Sequence, residues 1–75
     1  MFYVYLIRNR ITQGTYIGYT NDLRRRFKEH QDKSPELIYY EAYKAEKDAR
    51  QRELKLKQRG QSARRLKERL RRSLA

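Results

Sequence analysis

Seven residues near the start of the chain, Phe2–Arg8 (FYVYLIR), leave few structural options. Phe2, Val4 and Leu6 alternate with Tyr3, Tyr5 and Ile7, so both faces of an extended segment are apolar or aromatic. That pattern reads as a β-strand largely buried on both sides. Such a strand needs neighbours in a sheet and helices over it. The chain has 75 residues to supply them, enough for a single domain over 1–75. A domain of this size buries only roughly 60–65 % of its unfolded surface. Its core is therefore thin, which excludes a large enclosed cavity or a dinucleotide-binding fold.

The remaining elements follow from breaks in the pattern. Asn9–Thr15 carries Asn and Gly and reads as a loop; Tyr16–Tyr19 (YIGY) is a second short strand, paired with the first as a hairpin. Gly18 inside that strand points to a close approach to the backbone, or to a simple bulge. Thr20 or Asn21 can cap a helix from about Asp22 to His30. Residues 31–36, with Ser34-Pro35, form a loop, and Leu37–Tyr43 is a third strand. Glu46–Arg59 is helical by composition, with Gly60 as its stop. Ser62 caps a last helix from Ala63 to about Leu74. The order β-β-α-β-α-α predicts an α+β fold, a three-stranded antiparallel sheet flanked by helices. On the last helix, Ala63, Leu66, Leu70 and Leu74 form one stripe, which docks onto the domain's own core in preference to forming a dimer seam. A monomer is expected, with a dimer through this helix as the alternative.

Charge narrows the partners. The net charge is +11, and residues 50–75 alone hold 11 basic and 2 acidic side chains. A cationic field this concentrated attracts polyanions, and nucleic acid fits best. No apolar run approaches the ~20 residues of a membrane span. The start MFYVYLIRNR is too short, with its charges on the wrong side, for a signal peptide. The chain has no Cys, which excludes disulfides and thiolate metal sites and fits a reducing, cytoplasmic setting.

Few residues can carry chemistry. His30 is the single histidine, no phosphate-binding glycine loop is present, and no carboxylate cluster suggests a two-metal site. On the first helix Leu23 and Phe27 face the sheet. Arg26 and His30, one turn apart, then sit at the edge of the buried face, while Arg24, Arg25 and Lys28 point outward. Arg26 there either meets an anion such as a substrate phosphate or snorkels to solvent. On the second helix Glu53 projects into the stripe of Ala45, Ala49 and Leu56, while Leu54 implies a second buried contact. A lone inward acid in a cationic segment either forms a structural ion pair or holds a hard cation through oxygen. Most of the tyrosines are core or strand-filling residues.

Tyr3-Val4-Tyr5, then Tyr16-Ile17-Gly18, then Arg26, His30 and Glu53, in that order over residues 2–57, resemble the GIY-YIG endonuclease family, especially its small free-standing bacterial members. The resemblance implies a metal-dependent endonuclease that hydrolyses DNA phosphodiester bonds with one Mg²⁺ or Mn²⁺ ion, in DNA repair or in processing branched or nicked DNA. By position it implies Glu53 as the metal ligand, Arg26 as the phosphate clamp, and Tyr5 and Tyr16 as the motif tyrosines, one of them the general base. His30 would orient or relay the proton. Gly18 would let the backbone lie close to the site, with Arg24, Arg25, Lys57, Arg64 and Arg65 as substrate contacts. Tyr-Val-Tyr stands where Gly-Ile-Tyr is usual, and no Asn follows Asn21. The basic stretch 61–75 would take the place of a separate DNA-binding domain through unspecific phosphate contacts. The alternative is a non-catalytic basic nucleic-acid-binding module of the same fold.

Overall fold

The computed structural model describes residues 1–58 and 61–75. The first strand, β1 (Phe2–Asn9), is the centre of the sheet. It pairs antiparallel with β2 (Thr15–Thr20) on one side and β3 (Pro35–Tyr43) on the other, giving the order β2-β1-β3. A central strand has all its backbone groups paired, and both faces of β1 are covered: Val4, Tyr5, Leu6 and Ile7 are all buried. The pairing sets Tyr5 opposite Gly18 on β2 and opposite Tyr40 on β3. A register shift between Leu6 and Ile7 on the β3 side inserts one extra residue there. The helices are α1 (Leu23–Glu29), α2 (Glu46–Lys57) and α3 (Gln61–Arg69), so the order is the expected β-β-α-β-α-α.

Alternation along β1 divides the molecule into two sides. Val4 packs with Ala49 and Leu56 of α2 and Leu66 of α3, and Phe2, Ile17, Tyr19, Tyr39, Tyr43 and Leu70 surround them. Val4, Leu56 and Leu66 each contribute about 1.5–3 kcal/mol by their burial here. Leu66 and Leu70 thus dock onto the chain's own core. The opposite side presents Tyr3, Tyr5 and Ile7, and α1 lies over it: Arg26 and His30 both reach Tyr5. Arg8 fastens the far end of β1, pairing with Glu36 at 2.7 Å and donating to the Leu74 carbonyl.

Several boundaries differ from the sequence expectation. The cap of α1 is Asp22, not Thr20 or Asn21: its extended backbone lets Oδ1 accept from the Arg25 N–H at 3.1 Å. Thr20 instead braces the corner, accepting from the Asp22 N–H and donating to the Asp22 carbonyl. Strand β3 starts at Pro35, which can open a strand because it has no N–H to leave unpaired. Before it comes a 3₁₀ turn at Gln31–Lys33, and Ser34 takes a left-handed φ of 48°. Ser62 lies inside α3, which already runs from Gln61, so it is not the cap. The regular helix ends at Arg69, with a looser turn beyond it. Leu54 is 59 % exposed and makes no second buried contact, because the sheet and α3 take only one face of α2. The expected stop at Gly60 lies outside the described residues.

Candidate active site

Tyr5 is the hub. Its ring is 2 % exposed, and it fits only because Gly18 stands opposite. A Cβ on Gly18 would fall 2.3 Å from Tyr5 Oη and 2.9 Å from Tyr16 Cε1. The close approach expected at Gly18 is therefore that of a phenol. Tyr16 lies on the same side of β2, the edge strand, and is 44 % exposed. The Tyr5 and Tyr16 ring centroids are 6.3 Å apart.

Helix α1 brings two more groups. Arg26 Nε donates to Tyr5 Oη at 3.2 Å, and Arg26 Nη1 pairs with Glu29 at 3.0 Å. The hydrogen bond to Tyr5, then the one to Glu29, hold the guanidinium's pKa above its already high ordinary value, so Arg26 stays charged. His30, at the C-cap, places Nε2 3.5 Å from Tyr5 Oη and its ring 5.6 Å from that of Tyr16. Burial pushes the Tyr5 phenol above its ordinary value, outweighing the downward pull of Arg26. Tyr5 is therefore a neutral phenol near pH 7. A hollow of about 220 Å³, lined by Ile7, Thr15, Tyr16, His30 and Pro35 among others, opens beside the two rings. A second, polar hollow of about 290 Å³ flanks Arg26, lined by Tyr19, Asn21, Arg25, Glu46 and Arg50.

Glu53 joins this group through an intermediary. Its carboxylate pairs with Lys57 Nζ at 3.1 Å, and the same Nζ lies 5.6 Å from the Tyr16 ring centroid. Tyr5, Tyr16, Arg26 and His30 thus meet directly, with Lys57 between them and Glu53. Arg24 and Arg25 are exposed on α1, and Arg25 meets Glu29 at 3.8 Å. Arg64 and Arg65 are exposed on α3, which packs against the other side of the sheet from α1.

Two features escaped the sequence reading. Glu41 on β3 accepts from Tyr39, Tyr43 and Arg52, so two of the strand-three tyrosines serve a structural carboxylate. Arg50 lies 4.4 Å over the Tyr19 ring, and Tyr19 donates to Glu46 at 2.7 Å, forming one wall of the polar hollow. The spacing of Glu46 and Arg50, one turn apart, is visible in the sequence; the ring between them belongs to β2 and is not.

Among the described residues no group of three or more His, Cys, Asp or Glu side chains could enclose a metal ion. One carboxylate does not fit a closed zinc site. It does fit a hard cation that keeps several waters and gains its remaining ligands from substrate phosphate.

A small α+β domain with two tyrosines, an arginine and a histidine gathered at one edge of its sheet is thus defined. A family model of the GIY-YIG catalytic domain matches residues 1–68, and the chain belongs to the GIY-YIG family, a family of nucleases. Comparison with curated proteins and with solved structures gives no match. No helix among the described residues is long and apolar enough to cross a membrane.

Proposed function

We propose that this chain is a metal-dependent endonuclease that hydrolyses DNA phosphodiester bonds, with repair or the processing of branched or nicked DNA as its setting. The observation that carries the reading is the meeting of Arg26, His30 and Tyr16 on the buried Tyr5. Hydrolysis adds negative charge to the phosphoryl oxygens in the transition state. A fixed guanidinium there stabilises that state more than the ground state. Arg26 is held by the Tyr5 hydroxyl and Glu29, so it does not have to be ordered during the reaction.

Tyr16 is the candidate general base, since its phenol is exposed where water and substrate can reach it. Tyr5, buried and neutral, orients Arg26 and His30. His30, whose ring lies 6.3 Å from that of Tyr5 and 5.6 Å from that of Tyr16, would accept the proton that Tyr16 gives up as its oxygen takes one from the attacking water. Glu53 would hold Mg²⁺ or Mn²⁺, whose charge would further stabilise the phosphoryl oxygens. The exposed Arg24 and Arg25 on α1 supply phosphate contacts along the approach, with Gly18 keeping the Tyr5 phenol in place.

Nicking of supercoiled plasmid and cleavage of branched DNA in Mg²⁺, with Glu53→Gln beside the wild type, tests the reading. Wild-type cutting that EDTA stops and Glu53→Gln lowers by about 10³-fold is expected. Equal cutting by both proteins contradicts it. So does the absence of cutting on every DNA tested, which would leave a nucleic-acid-binding module; cutting of RNA alone would move the substrate class.

A further inference from the structure

Among the described residues, Glu53 differs from the other paired acids. Glu29, Glu36, Glu41 and Glu46 are paired with arginines, whereas Glu53 pairs with a lysine. The difference matters physically. A guanidinium can grip a carboxylate through a planar fork, as Arg52 does on Glu41 with Nε and Nη2. An ammonium is a compact point charge on a flexible stem and binds through one short contact. Of the two, the ammonium is far easier for another compact cation to replace.

We propose that Lys57 is the resident counter-cation of Glu53, and that a divalent cation reaches this carboxylate by displacing it. The inference rests on the reading of Glu53 as the metal ligand. The pair is well placed for the role. Glu53 precedes Lys57 by one turn of α2, the favourable orientation for such a pair. The Glu53 side chain is 21 % exposed and that of Lys57 47 %, so the acid is partly withdrawn from water while its partner remains free to swing outward. A displaced ammonium also has somewhere to go. The Tyr16 ring already lies within cation–π range of it, at 5.6 Å. There Lys57 would face the phosphate of a bound substrate, so cation loading and substrate binding would each release one half of the same ion pair. Coupling of that kind is reciprocal and favours loading when substrate is present.

The test is a Mn²⁺ titration of the full chain, followed by the electron paramagnetic resonance signal of free Mn²⁺. Lys57→Met and Lys57→Gln remove the competitor and are expected to tighten Mn²⁺ binding by about two- to fivefold, the worth of a partly exposed ion pair. Lys57→Arg should bind Mn²⁺ no more tightly than the wild type. Lys55→Met, which removes the same charge from an exposed position on the same helix, controls for overall charge. If both Lys57 variants bind Mn²⁺ no more tightly than Lys55→Met, the proposal is overturned. Glu53→Gln separates the two levels: loss of saturable binding supports Glu53 as the ligand, and unchanged binding removes that reading whatever Lys57 does.

Discussion

At the scale of single residues, Gly18 and Tyr5 hold the site together. Any side chain at position 18 has to displace a phenol of β1 that is itself buried against β2 and α1. Gly18→Ala is therefore expected to cost about 1–3 kcal/mol in urea denaturation, the usual range for overpacking. It should also loosen the Arg26–Tyr5 bond. Tyr5→Phe keeps the ring and removes only the hydroxyl that accepts from Arg26 Nε and meets His30 Nε2, so the fold should survive with a loss of about 1 kcal/mol. The edge position of Arg26 and His30 was readable from the spacing of Leu23 and Phe27. Their common partner was not, because it is set by how far α1 sits from β1. The same holds for Lys57: its spacing from Glu53 is plain in the sequence, while its approach to Tyr16 depends on how α2 ends near the edge of the sheet.

At the scale of elements, α2 is fastened to β3 by one half-buried carboxylate. Burial alone would raise the Glu41 carboxyl, but hydrogen bonds from Arg52, Tyr43 and Tyr39 outweigh it and hold the group below the ordinary range. A depressed carboxyl contributes stability above its unfolded pKa, and that contribution is lost as the pH falls through the folded value. Acid denaturation should therefore be shallower in Arg52→Met, which is also expected to lose about 2 kcal/mol at neutral pH by leaving Glu41 without its cation. The partner hydroxyls move the other way. Burial first, and then Glu41, push Tyr43 up to about 12 and raise Tyr39 as well. Stability from these phenols is complete below the unfolded value near 10 and lost as the pH rises through the folded ones. Absorbance at 295 nm should show late-titrating tyrosines, with Tyr43→Phe removing the latest. Element order was legible because strands and helices differ in period. Their ends were less so: Thr20, Asn21 and Asp22 can all cap a helix, and only the backbone angles at Asp22 decide among them.

At the scale of the molecule, charge and sheet edge act together. Strand β2 is an edge, so Tyr16 can be approached both by α1, through His30, and by the end of α2, and α1 carries the exposed Arg24 and Arg25. With a net charge of +11, binding to DNA is expected to weaken steeply with salt. Arg24→Ala and Arg25→Ala should each reduce the slope of log K against log salt by about 0.9 if each neutralises one phosphate. Arg64 and Arg65, on the other side of the sheet, should affect affinity without affecting the rate of cutting. The most direct test of Tyr16 as the base compares Tyr16→Phe with the wild type in single-turnover Mg²⁺-dependent nicking, with DNA affinity measured alongside. A rate lower by about 10²–10³-fold at unchanged affinity is expected; nicking at the wild-type rate would rule out that role.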